Sequence, residues 1–264
     1  MAAVTTSWPE ERVALVLIDN GPRNFLTWSL NEELEAGLQA IRDRAEVVVI
    51  GSGVDGFFLA HGHLGDNVET FTGGKPSGDP TAGLRVFAEL DTGPMVSIAA
   101  IDGQAWGGGA ELAWHCDLRV ASTRASFAQV EVRLGVTTVG GAVRIAHLAG
   151  EAAAKRLVLD GRPIDADEAH RLGLVHRVVK AGTAVDESIE WARWLASHPA
   201  GALARSKAVI TSSRGDRLDE AFDRELQAYV ANFSRDEAID RAREAQASYD
   251  AGARSAEVFD VPSP

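Results

Sequence analysis

The stretch Ser97–Gly150, SIAAIDGQAWGGGAELAWHCDLRVASTRASFAQVEVRLGVTTVGGAVRIAHLAG, sets Gly107, Gly108 and Gly109 between a strand and a helix and follows them with Glu111 and Glu131. The apolar run Ile98–Ile101 fits a buried strand, and Asp102-Gly103 is turn chemistry. A glycine has no Cβ, so it lets a ligand or a second backbone come close. From Ala110 the pattern ELAWHCD reads as helix. The glycines therefore stand at a helix N-terminus, where free N–H groups and the positive end of the dipole favour negative charge. Glu111 falls about one turn after Gly108, on the same face. Glu131 returns after ASFAQV and is placed to meet it from across the site. Two carboxylates beside a cluster of N–H donors are equipment for moving a proton and a water next to a polarised carbonyl. Taken alone, the glycines read equally well as a close helix–strand packing contact.

The 264 residues, 45% hydrophobic and 24% charged, are enough for a sizeable core. A net charge of −12 argues against nucleic acid or an anionic membrane surface as a general partner. No apolar run approaches the ~20 residues that span a bilayer, and MAAVTTSWPEER lacks the basic-then-apolar pattern of a leader, so a cytoplasmic location is expected. The single cysteine, Cys116, leaves no internal disulfide; inside the ELAWHCD helix it reads as a buried small hydrophobe rather than a nucleophile.

Outward from the central stretch, Val13–Asp19 and Glu46–Gly51 read as strands, the second continuous and β-branched and so buried on both faces. Between them Thr27–Arg44 is an amphipathic helix, with Leu30, Leu34, Leu38 and Ile41 at spacings of three and four. Gly65–Pro80 is rich in glycine, proline and polar residues and predicts a surface loop, with a short helix at its start. Helices are predicted over Thr81–Leu90, Ala142–Ala149, Glu151–Leu159 and Asp165–Leu172, the last capped by Gly173, with a closing strand over Leu174–Val179. From Thr183 the composition is helical, and Glu237 with Arg241 marks an exposed face.

The order of these elements resembles the enoyl-CoA hydratase/isomerase (crotonase) superfamily. The resemblance is carried by Ala100, Gly103, Ala105, Gly107–Gly109, Glu111-Leu112-Ala113, Cys116-Asp117 and Ala121, then by Phe127, Glu131, Gly135, Gly140-Gly141 and Gly150. It continues in GRPIDADEAHRLGLVHRVV, Gly161–Val179, and runs from about Val13 to about Asp219. It implies an α/β fold: a crotonase-like spiral of ββα units over residues 1–195, and a helical C-terminal region over 196–264 that serves oligomerisation as a homotrimer or homohexamer.

The same resemblance implies an acyl-CoA substrate with no cofactor beyond it, and Glu111 and Glu131 as catalytic residues. Gly108 supplies one oxyanion N–H. The second comes from Gly62 by direct alignment, or from His63 if one residue is inserted there. Arg23 would meet the nucleotide end of CoA, with Lys75 a second cation. Ala60, His61, Leu64, Trp106, Gly107 and Val139 would line the substrate site together with His63; Trp106 either narrows the cavity or packs.

The chain departs from the family pattern at His61, in place of the usual glycine, and at His63, in place of aspartate. Val130 stands for a proline, and the Leu134–Gly141 loop is shorter. His61-x-His63 has no third ligand of suitable spacing, so no metal is expected. Hydration of a 2-enoyl-CoA is the expected activity. Enoyl-CoA isomerisation, acyl-CoA thioester hydrolysis, and a non-catalytic acyl-CoA-binding or assembly role are the alternatives.

Overall fold

The computed structural model describes residues 3–215, 218–233 and 235–251. The chain begins with β1 (Val4–Glu10), β2 (Val13–Ile18) and α1 (Trp28–Ile41). Three units then follow one plan: a strand for a large sheet, a strand for a small sheet, then helix. The first is β3 (Val47–Ser52), β4 (Gly56–Leu59), α2 (Leu64–Thr72) and α3 (Ala82–Thr92); the second is β5 (Val96–Ile101), β6 (Gly103–Trp106) and α4 (Gly108–His115). The third is β7 (Leu118–Ser122), β8 (Ser126–Ala128), a 3-10 turn (Glu131–Leu134), α5 (Gly141–Ala149) and α6 (Glu151–Asp160). The α/β spiral of ββα units is thus realised. After it come β9 (Ile164–Asp165), α7 (Ala166–Arg171), β10 (Arg177–Val179), α8 (Ala184–Ala196) and α9 (Ala202–Ser212).

The large sheet runs β1-β2-β3-β5-β7-β10, parallel except for β1 against β2; the small sheet runs β4-β6-β8-β9. Alternate residues of the central strands point to opposite faces. Ala14, Val16, Val48, Ile50, Ala99 and Ile101 pack with α1, α3 and α4 on one side. Val13, Leu15, Val47, Val49, Ile98 and Ala100 pack on the other, against Ala184, Ala192 and Ala196 of α8. Both faces are covered, which is why these strands read as unbroken apolar runs.

The chain forms two compact units, Met1–Lys207 and a second from Ala208 onward. In the second, α10 (Leu218–Phe233) and α11 (Asp236–Asp250) carry a stacked Tyr229–Phe233 pair and an exposed Glu237–Arg241 pair. The end of the expected 196–264 region, residues 252–264, lies outside the described residues.

One local expectation changes. The segment after His63 is not mainly loop: α2 runs nine residues to Thr72, and only the chain from Gly73 on is irregular. The reason is capping at both ends. His63 Nδ1 accepts from the Asp66 N–H, and Gly73 closes the helix with φ +75°. Buried Asp66 then ties the following loop back, accepting from Ser77 N and Ser77 Oγ and from Trp28 N.

The turn between β2 and α1 is organised by one buried side chain. Asn24, with φ +52°, donates from Nδ2 to Ile18 O, Ser52 Oγ and Phe58 O, and accepts at Oδ1 from Asn20 N. Its own carbonyl accepts from Ala60 N, so the turn and the end of β4 are one assembly. Asn24→Ala would leave buried oxygens without donors and put a Cβ-bearing residue with no compensating side-chain bonds at positive φ. A loss of roughly 3 kcal/mol in folding stability is expected, read as a lower denaturation midpoint at unchanged slope.

Candidate active site

The site forms at the carboxyl ends of the three parallel strands of the small sheet. β4 pairs with β6 (Leu59↔Ala105) and β6 with β8 (Trp106↔Ala128). The residues that follow each strand therefore emerge side by side: Ala60–Gly62, Gly107–Gly108, and Gln129–Glu131. Gly107 N donates to Ala128 O at 2.8 Å and fastens the second to the third.

Two glycines are required by geometry. Gly107 turns the chain at φ +49° into α4. At Gly109 a Cβ would lie 2.3 Å from Leu59 O and 2.7 Å from Leu59 Cβ, so the first turn of α4 rests directly on β4. This contact brings the next glycine pair together: Gly62 N lies 3.3 Å from where a Cβ on Gly108 would stand.

The backbone hydrogen bonds distinguish the candidate donors around Gly62. Leu26 and Gly62 form a parallel bridge in which Leu26 N donates to His61 O and His63 N donates to Leu26 O, both at 2.9 Å. The His63 N–H is thus spent on the fold. The Gly62 N–H is on the other edge, on the side of Gly108.

Glu111 is 5% exposed. Its Oε1 accepts from Val139 N at 2.8 Å and from Gly141 N at 3.3 Å, so the loop into α5 holds the carboxyl by backbone alone. Burial, with the negative Glu131 nearby, pushes Glu111 up to about 8 against the lowering effect of those two N–H bonds. Glu131, half-buried, is also pushed up by burial, opposed by its own N–H and by His61. Its Oε1 lies 2.8 Å from the Cβ position of Gly107, and His61 Cβ lies 3.3 Å from the same point. Gly107, Gly108, Gly62, Glu111, Glu131, His61 and the Val139 backbone are therefore one cluster.

The remaining expected positions are placed differently. Ala60 is buried, its carbonyl accepting from Gln104 Nε2 at 3.1 Å. Trp106 is half-buried and donates from Nε1 to Ser126 Oγ at 3.1 Å. Leu64 opens α2 with its side chain 43% exposed, and the Val139 side chain is 59% exposed. Arg23 is exposed on the turn before Asn24, and Lys75 is exposed in the loop after α2. Cys116 is fully buried, and burial pushes its thiol up to about 12, which leaves it un-ionised.

Two side chains behind the cluster were not singled out from the sequence. Gln129 is 2% exposed; with its amide turned so that both ends find partners, it donates to Glu131 Oε2 and accepts from Trp114 Nε1, each at 3.3 Å. The available signal was a polar residue just past β8, two after buried Phe127 and in phase with it. His115 Nδ1 donates to Glu111 O (2.8 Å), and the ring stacks on Phe87 with centroids 4.4 Å apart and lies against Gly140. It braces the loop that holds Glu111.

The sequence and the fold are similar to those of known proteins. The family model for enoyl-CoA hydratase/isomerase matches residues 9–249. The chain belongs to the enoyl-CoA hydratase/isomerase family. It is 34% identical over 238 residues to a short-chain-enoyl-CoA hydratase of Clostridium acetobutylicum, covering 88% of this chain and 90% of that one. It is 32% identical over 231 residues to a crotonyl-CoA hydratase of Syntrophomonas wolfei, covering 85% and 88%. The crystal structure of an enoyl-CoA hydratase from Bacillus anthracis superposes with a TM-score of 0.82 at 26% identity, covering 94% of this chain and 96% of that one. The crotonase fold expected from the sequence is the fold observed.

The raised Glu111 has a consequence for stability in this family member. In the folded chain its carboxyl ionises near 8, against an ordinary value of 4.5. Between those values the folded chain binds the proton and the unfolded chain releases it, so Glu111 makes stability fall as pH rises through that window. Glu111→Gln, uncharged throughout, should match the native chain below pH 4.5 and exceed it by a few kcal/mol at pH 8 and above. Denaturant titrations at both ends of the window measure this; equal stability at both would mean that the carboxyl is not raised.

Proposed function

We propose that this chain is an enoyl-CoA hydratase acting on a short-chain 2-enoyl-CoA thioester. The observation that supports the reading is the close approach of the Gly62 and Gly108 backbones beside the pair of raised carboxyls, Glu111 and Glu131. The two N–H groups would hold the thioester oxygen and stabilise the enolate. Burial and the neighbouring Glu131 charge favour the protonated form of Glu111, and burial raises Glu131 as well. One carboxylate takes a proton from water as its oxygen bonds to the β-carbon; the partner carboxyl gives a proton to the α-carbon. No cofactor beyond the CoA ester enters these steps.

In the same reading, Ala60, His61, Leu64, Trp106 and Gly107 border the acyl group, and exposed Arg23 and Lys75 are cations for the CoA phosphates in an otherwise acidic protein. The short acyl chain is taken from the relatives, named as short-chain and crotonyl-CoA hydratases. A homotrimer or homohexamer belongs to the proposal as well: Val132, Leu134, Val136 and Val143 in the first unit, and Leu226, Tyr229, Val230 and Phe233 in the second, are exposed apolar side chains that partner copies would cover. Among the described residues no helix is long and apolar enough to cross a membrane, which fits cytoplasmic work on a CoA ester.

Glu111→Gln and Glu131→Gln keep shape and remove proton transfer. Each should lower turnover of crotonyl-CoA by at least ~10²-fold while acyl-CoA binding is retained. An isomerase would tolerate one change and fail on the other. A chain that binds acyl-CoA equally before and after both substitutions, and turns over nothing, would be a binder and would overturn the proposal.

A further inference from the structure

His61 and His63 stand two residues apart and have separate fates. His63 belongs to the fold: its N–H goes to Leu26 O, its Nδ1 caps α2, and its ring lies 3.6 Å from the Asp66 carboxylate. The His61 side chain has no such duty. Its Nδ1 lies 2.7 Å from Gly62 O. A carbonyl oxygen only accepts, so the proton of the neutral ring sits on Nδ1 and Nε2 is left with a lone pair. The ring is set by Phe25, centroids 4.8 Å apart, and no group among the described residues is hydrogen-bonded to Nε2. His61 Cβ and Glu131 Oε1 approach one point, the Cβ position of Gly107, to 3.3 and 2.8 Å. His61 therefore stands beside Glu131 with one ring nitrogen already bonded and the other carrying a free lone pair.

We propose that His61 is a further catalytic residue of this chain: its Nε2 accepts a hydrogen bond from the oxygen at the β-carbon, the water before addition and the hydroxyl after it. The identity of that oxygen rests on the hydratase reading. The proton transfers remain with the glutamates; the imidazole orients the oxygen and moves no proton. The ligand class that follows is a 3-hydroxyacyl thioester, favoured over the saturated acyl thioester of equal length.

The test compares His61, His61→Leu and His61→Gln. Leucine has similar bulk and no acceptor; glutamine can present an oxygen near the place of Nε2. Dissociation constants for 3-hydroxybutyryl-CoA and butyryl-CoA are measured in the Glu111→Gln background, and turnover of crotonyl-CoA in the otherwise native chain. With His61 present, the hydroxylated ester should bind about two- to tenfold tighter than butyryl-CoA, the scale of one hydrogen bond. That preference should vanish in His61→Leu and return in His61→Gln, with butyryl-CoA affinity alike in all. Turnover should fall roughly tenfold in His61→Leu with KM little changed, and recover in His61→Gln. A preference that survives in His61→Leu, or equal losses for both esters, overturns the proposal. A chain that shows the preference but does not hydrate crotonyl-CoA keeps the His61 subsite and overturns the hydratase reading; hydration without the preference does the reverse.

Discussion

The backbone contact between Gly109 and Leu59 is the constraint from which the site follows. A helix rarely rests on a strand with no side chain between them, and here even a methyl group would collide with the Leu59 carbonyl. Because α4 is held that close, its first turn lies level with the end of β4, and the Gly108 and Gly62 backbones become neighbours. The parallel pairing of β4, β6 and β8 then fixes what stands beside them. Wider spacing at that contact would separate the donors without altering any residue of the site.

The electrostatics depend on the same compactness. Glu111 is carried into the protein on α4 and, among the described residues, its carboxyl accepts from the N–H groups of Val139 and Gly141 and forms no ion pair. Those bonds offset part of the cost of burial, and the carboxyl stays well above its ordinary range. Glu131 comes from a short turn nearer the surface and is buried less. Two carboxyls of one chemistry thus enter the site in different environments, which equips a pair to give and take protons at one pH. His115 under the loop and Gln129 behind Glu131 hold these positions from the protein side.

The sequence was most informative where a residue type is required by local geometry. The strands at Val13 and Val47, the helix at Trp28, and the glycines before Glu111 announce themselves through burial on both faces, helical spacing, or lack of a Cβ. β1 does not: VTTSWPE is a polar edge strand that pairs on one side only, so no apolar pattern marks it. The short strands β6, β8 and β9, two to four residues long, are fixed by pairing with distant partners rather than by local pattern. At the candidate site, the meeting of Glu111, Glu131, Gly62 and Gly108 was legible because the motif carries these residues. The choice between the Gly62 and His63 N–H groups was not, since it turns on where Leu26 places its two backbone bonds. Gln129 and His115 were hidden because Trp114 and Phe87, which they meet, lie 15 and 28 residues away in the chain, and His115 also bonds a backbone carbonyl.

The proposed chemistry of this geometry is addition of water across a conjugated thioester. Its most direct measurement is incubation of the native chain with crotonyl-CoA in heavy-oxygen water, followed by mass analysis of the products. The expected product is 3-hydroxybutyryl-CoA carrying one heavy oxygen on the β-carbon, with the thioester intact. Free CoA with heavy oxygen in the released acid, a shifted double bond without oxygen uptake, or unchanged crotonyl-CoA would contradict it.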